Sequence, residues 1–289
     1  MMAIPIIHDW EKYFDNPDEG LGSSYERIIL NRLISEAICK HGIKSILESP
    51  SFGFTGLSGI NLMQAALDGA EVHLEDHNEL RIEEIKALWQ KLDLPLEIRY
   101  NKDYSLLDYP DKSIDMSFSF SAIWFVKDLP RYLGELSRVS SKLIFISVPN
   151  RAGIGYKTQI KDYSPELYPE VNPGFIDPAV ISWHLRKLGW RLEAKGYFDC
   201  PLWPDIGMSK EDFLMKHCMF CKLMGKCKVP VAQKAPGKRV SIMDFYTGKD
   251  PDFEDRMMRY SFLERFAPEA FKKYWAHHYY LQFVPESDV

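Results

Sequence analysis

The chain has 289 residues, 46% of them hydrophobic. That is enough for the core of one large domain, or of a core domain with an appended lobe. A formal net charge of −5 leaves no electrostatic footprint for nucleic acid, and no apolar run approaches the roughly 20 residues a bilayer span requires.

In chain order, residues 1–22 are polar and turn-rich and read as a loop or lid. Met1 to Trp10 lacks the basic, apolar and small-residue order of a signal peptide. Ser23-Ser-Tyr-Glu26 has the pattern of a capping box and predicts the start of a helix with Leu30, Leu33, Ile34, Ala37 and Ile38 on one face. Gly42 ends that helix. A short strand, Ile46-Leu47, closes on Glu48 and runs into a loop with Gly53, Gly56 and Gly59. Helical residues Ile60 to Leu67 follow, then Gly69 and a second strand, Val72 to Leu74, which ends at Glu75-Asp76. Asn78 caps a helix carrying Ile85, Leu88, Trp89 and Leu92. Further strands are expected over Leu96 to Tyr100, Ile114 to Phe120, Lys142 to Val148 and, at an edge, Trp190 to Phe198. Helices are expected after Pro130 and over Pro178 to Leu188. Strands alternating with amphipathic helices predict an α/β fold with a parallel sheet covered on both faces. Beyond Cys200 the texture changes. Residues 201–238 read as irregular, Val240 to Phe245 as a short strand, and 252–283 as two aromatic-rich helices. The division expected is 1–200 for the core domain and 201–289 for an appended α-rich lobe.

The strand, glycine loop, helix, strand and acid in succession suit a nucleoside ligand. Glycines let the backbone approach closely, and an acid after the second strand can accept two ribose hydroxyls. The distance from Glu48 to Asp76, about 28 residues, is somewhat longer than in a standard unit.

Residues 24–200 resemble the class I S-adenosylmethionine-dependent methyltransferases of the small-molecule type. The likeness is carried by Asp103-Tyr-Ser-Leu-Leu-Asp-Tyr-Pro-Asp-Lys-Ser-Ile-Asp115, in which Asp103, Pro110, Asp111, Ser113 and Asp115 fall in the family's register and Ile114 replaces an aromatic. Ser121 to Val126, Leu136 to Val139 and Leu143 to Asn150 continue it. The resemblance implies a Rossmann-like, doubly wound, mostly parallel seven-stranded sheet. It makes S-adenosylmethionine the cofactor. Glu48 would anchor the methionine side, Gly53 and Gly56 would pass beneath it, Asp76 would hold the ribose and Asp103 the adenine amino group, with Tyr104 beside the ring. Ser119 and Phe120 would face the methyl group, and His77 would touch the adenosine. Trp124 and Tyr156 are candidates for the acceptor pocket. The loop departs from the family's acid-x-Gly-x-Gly-x-Gly by the intrusion of Pro50 and Phe52. Segments Trp10 to Arg27 and Ser49 to Gly59 resemble a prokaryotic subgroup of the family. A nicotinamide-dependent enzyme of the same fold, or a non-catalytic binding module, are the other readings; the loop lacks the Gly-x-Gly-x-x-Gly of the first.

The cofactor carries an activated methyl, so such an enzyme must mainly hold an acceptor in line and exclude water. No catalytic dyad stands out in the sequence, and a base is needed only for an acceptor protonated at working pH. No acid-Pro-Pro-aromatic tetrad follows the fourth strand, which removes the usual signature for methylating bases of nucleic acids. Cys218, Cys221 and Cys227 have spacing that suits zinc or an iron–sulfur cluster, with Cys200, His217, His277 or His278 as a fourth ligand. Free thiols are the plainer reading. Five cysteines in so long a chain are no disulfide framework, so a reducing cytoplasm is the expected compartment. The aromatic stretch Phe271 to Phe283 reads as packing or as a homodimer contact.

Overall fold

The computed structural model describes residues 10–17, 20–52, 56–162, 164–166, 169–202 and 240–286. A seven-stranded sheet runs through it. Its strands are β1 (Ser45–Glu48), β2 (Glu71–Asp76), β3 (Glu97–Tyr100), β4 (Ile114–Phe120), β5 (Ser140–Pro149), β6 (Trp190–Phe198) and β7 (His278–Pro285), in the order β3-β2-β1-β4-β5-β7-β6. The first five are parallel, and β7 pairs antiparallel with both β5 and β6. Because the strand order reverses beside β1, the crevice outside the carboxyl ends of β1 and β4 is where this architecture receives a ligand.

The helices arise from the predicted patterns. α1 (Glu11–Asp15) precedes α2 (Gly20–His41), which Gly42 ends at φ +57°. α2 begins earlier than the sequence implied. Ser23-Ser-Tyr-Glu26 therefore lies inside the helix and does not cap it; Glu26 instead turns inward to His278. α3 (Met63–Leu67) links β1 to β2. α4 (Glu79–Gln90) is capped by the Asn78 side chain, which accepts from the Arg81 amide at 3.0 Å. α4 buries Ile82, Ile85 and Trp89, and the Trp89 indole donates to the Gly59 carbonyl at 2.8 Å. Gly59 is obligatory there: its φ is +71°, and a Cβ would meet Ile85 at 2.7 Å.

α5 (Leu129–Val139), with Pro130 in its first turn, follows β4. α6 (Ile154–Gln159) and α7 (Pro178–Lys187) follow β5. α8 (Ile242–Tyr246), α9 (Phe253–Met258), α10 (Phe262–Phe266) and α11 (Glu269–Trp275) lead to β7. Two expectations are corrected here. Val240 to Phe245 is not a strand, because Ser241 caps the helix α8 with its side chain. The stretch 252–283 is not two helices: its last residues open β7, whose Leu281 and Phe283 are buried between β5 and β6. The sheet built mainly by residues 45–198 is thus completed by a strand from the far end of the chain.

The segment that carries the strongest likeness is a clasp around the start of β4. Asp115 accepts from the Lys44 amide at 2.7 Å and pairs with Lys142 at 3.0 Å. Asp111 pairs with Arg138 at 2.8 Å, and Ser113 donates to the Pro110 carbonyl.

Candidate cofactor site

Glu48 ends β1 inside the protein, with no exposed surface. Its Oε1 accepts from the Asn61 amide at 2.5 Å. The Asn61 oxygen accepts in turn from Arg27, whose other nitrogen donates to the Leu57 carbonyl at 2.7 Å. Among the described residues, Glu48 Oε2 meets no hydrogen-bond donor, and neither does the hydroxyl of Ser51, which is also fully buried. Burial pushes the Glu48 carboxyl up to about 8, against the opposing pull of Asn61 and Arg27. A buried oxygen of this kind costs free energy until a donor arrives.

The loop that follows starts with a cis Ser49-Pro50 bond. Ser49 and Asn101 both donate to Glu75 Oε2, at 2.8 and 2.9 Å, and the Ser51 amide donates to the Glu75 carbonyl. Burial brings the Glu75 carboxyl up to about 7. Gly56 has φ +72°, as a loop glycine should; Gly53 lies outside the described residues.

The tip of β2 is arranged differently. Asp76 is fully buried and receives two bonds from the Arg81 guanidinium, at 2.7 and 2.6 Å, and a third from the Asn78 amide at 2.9 Å. Arg81 is itself buried, with its guanidinium 5.1 Å from the Phe52 ring centre and 5.5 Å from that of Trp10. Phe52 packs edge-on against His77 (4.9 Å) and Phe125 (4.7 Å). His77 Nδ1 lies 2.9 Å from the Tyr104 hydroxyl, and burial lowers the imidazole's pKa. Tyr104 is almost wholly buried, at φ +58°.

Asp103 sits at the rim, about one third exposed (32%). Its Oδ1 accepts from the Ser105 hydroxyl (2.6 Å) and amide (3.1 Å), which hold its carboxyl below the usual range.

The structure therefore brings Glu48, Asp76, His77 and Tyr104 to one end of the sheet, but Asp76 does not present a free carboxylate to a crevice. Arg81 engages both of its oxygens, and the protein's own Phe52, His77 and Phe125 rings pack beside it. Ser119 is fully buried near the end of β4. Trp124 is corrected from pocket lining to core: it has no exposed surface, and its carbonyl accepts from the Asn172 amide. Tyr156 lies half-buried on α6, after β5. Cys218, Cys221 and Cys227 lie outside the described residues. Sequence reasoning missed Asn61, Arg27 and Arg81. The last stands five residues past Asp76 on the first turn of α4, a spacing that could have announced it.

Residues 55–143 match the family model described as "Methyltransferase domain". That match spans under a third of the chain and speaks for a methyltransferase domain over those residues. The chain also resembles solved structures. The MccD protein superposes with a TM-score of 0.52 at 13% identity, covering 89% of this chain and 96% of that one. A Bacillus halodurans protein described as a proposed methyltransferase gives 0.50 at 12%, covering 89% and 98%. A SAM-dependent methyltransferase from Aquifex aeolicus gives 0.47 at 17%, covering 65% and 92%. At such identities the first two likenesses speak for the fold alone. No curated protein matches the sequence. No described helix is long and apolar enough to cross a membrane.

The residues at the end of β1 are of a kind that would suit the amino-acid end of S-adenosylmethionine. Glu48 Oε2 would receive the ammonium group, and the Ser51 hydroxyl is a donor in want of an acceptor. At the sugar end the same residues are engaged with one another.

Proposed function

We propose that the enzyme transfers the methyl group of S-adenosylmethionine to a small-molecule acceptor by in-line displacement. The observation that carries this reading is the buried, unsatisfied Glu48 Oε2 at the carboxyl end of β1. When bound, the sulfonium cofactor supplies the activated methyl. Glu48 anchors the ammonium, and the Ser51 hydroxyl stands beside it. Asp76 meets the sugar hydroxyls once Arg81 yields one of its oxygens. Tyr104 and His77 flank the base, and Asp103 offers its carboxylate at the rim. Ser119, near the end of β4, borders the place of transfer, and Tyr156 on α6 borders the acceptor. Together these groups orient the reactants and exclude water.

The acidic net charge and the missing acid-Pro-Pro-aromatic tetrad support a small acceptor over a nucleic acid. Incubation of the protein with methyl-labelled S-adenosylmethionine and a fractionated cell extract tests the reading. Label recovered in a low-molecular-mass product is the expected result. Label confined to protein or nucleic acid, or no transfer from any fraction, contradicts it.

A further inference from the structure

The pairing of β6 with β7 sets Phe198 opposite His278, so Asp199 and His277, just outside the two strands, also meet: the His277 amide donates to the Asp199 carbonyl at 3.0 Å. The second turn of α2 brings Glu26 to the same point, with its Oε2 3.0 Å from His278 Nε2. One donor atom each from Glu26, Asp199 and His278 lies within 4.8 Å of the other two. All three residues are buried: 5%, 2% and 0% exposed.

We propose that Glu26, Asp199 and His278 bind a divalent transition-metal ion. Bonds of about 2.0–2.2 Å place the donors around one ion roughly 3 to 4 Å apart, so the three groups need only a small closure. The groups around them are those that orient metal ligands. Ser121 Oγ lies 3.0 Å from His278 Nδ1; with the proton on Nδ1 this bond leaves the Nε2 lone pair for the ion. His277 Nδ1 lies 2.7 Å from Asp199 Oδ2 and fixes that carboxylate. The His278 ring is held between Phe120 and Phe198, with centroids 5.0 and 5.1 Å away. Three chain segments distant in sequence thus converge on a site whose orientation is set by separate side chains.

Charge points the same way. A third carboxylate, Glu264, lies near enough to feel the Asp199 charge, and it accepts from the Cys200 amide at 2.7 Å and from Tyr25 at 3.4 Å. Burial first, and then the Asp199 charge, push the Glu264 carboxyl up to about 7. Among the described residues, Arg27 and Lys272 are the lysine and arginine charges that act on this group of acids, and both have other oxygen partners: Leu57 and Asn61 for Arg27, Glu269 for Lys272. Buried charges are paired or coordinate metals, and a dication would balance the excess here. Two carboxylates and one imidazole, with no thiolate, form a donor set for Mn²⁺, Fe²⁺ or Zn²⁺. The assignment does not depend on the methyl-transfer reading.

The test uses full-length protein stripped with EDTA and titrated with MnCl₂ under electron paramagnetic resonance, and with ZnCl₂ by calorimetry. About one ion per chain is expected. Asp199→Asn and His278→Gln should lose binding, and Ser121→Ala should weaken it about tenfold or more while leaving the ligands in place. A Cys218→Ser/Cys221→Ser double variant should bind as the parent does. Circular dichroism checks that each variant is folded, and Ser121→Ala keeps the test decisive if the ligand variants unfold. No binding at millimolar Mn²⁺ and Zn²⁺ overturns the proposal. So does binding indifferent to Asp199→Asn and Ser121→Ala, or binding abolished by the cysteine double variant alone.

Discussion

The two ends of the cofactor crevice are built on opposite terms. At the end of β1, Glu48 keeps one oxygen without a donor, although it is wholly buried. At the end of β2, Asp76 is equally buried and receives three hydrogen bonds, two of them from Arg81. The first end stores a deficit that a bound ammonium would relieve. The second is complete without a ligand, so a ligand must exchange for contacts already made. The difference shows that two acids with the same place in a family's pattern need not be equally ready to bind.

Breaking the complete end should have the largest effect. Arg81→Met keeps most of the side-chain volume between Phe52 and Trp10 but strands the Asp76 carboxylate. It should cost about 3–5 kcal/mol of stability by chemical denaturation. Adding Asp76→Asn should recover part of that loss. A single variant as stable as the parent would mean that the pair contributes nothing.

The incomplete end makes a pH-dependent contribution. The folded Glu48 carboxyl stands near 8, against 4.5 for the ordinary group. Between those values the folded protein holds a proton that the unfolded chain has lost. Stability from this residue therefore falls as pH rises from about 4.5 to about 8, by roughly 1.4 kcal/mol per pH unit at most. Glu75 and Glu264, both near 7, act in the same direction. Glu48→Gln should flatten the curve of unfolding free energy against pH and be more stable than the parent at pH 8 by a few kcal/mol. Parallel curves for the two proteins would contradict this.

Smaller effects test the frame that holds the two ends. Gly59→Ala must adopt φ near +71° and press on Ile85, which should lower stability by about 1–3 kcal/mol. Asn78→Ala removes the cap of α4, the helix that carries Arg81, and should cost about 1 kcal/mol. Both are read from thermal or denaturant midpoints, and neither should change the pH dependence assigned to Glu48.

The sheet was legible in the sequence where local pattern and burial agree. β1, β2 and β4 each hold a short apolar run, and these runs become buried strands. β7 was not legible. His278-Tyr-Tyr-Leu-Gln-Phe-Val follows directly on α11 with a mixture of aromatic and polar residues that fits either period, and only pairing with β5 and β6 makes it a strand. The opening of α2 was misread because a capping-box spelling says nothing of whether the helix is already under way. Glu48 was singled out through the resemblance, as the acid that ends the first strand, and the structure places it wholly inside the protein. The state of Asp76 could not be read, because it depends on where Arg81 and Phe52 come to rest. Trp124 followed the commoner fate of an aromatic leaving a buried strand, which is the core.

The most direct measurement is the titration of S-adenosylhomocysteine, which keeps the ammonium and the ribose, into the parent protein and Glu48→Gln at pH 7.5. The account predicts saturable binding to the parent and a loss of about 10–100-fold in the variant, the range of a charge-assisted hydrogen bond. Equal binding by the two proteins, or none to the parent at millimolar ligand, would contradict it.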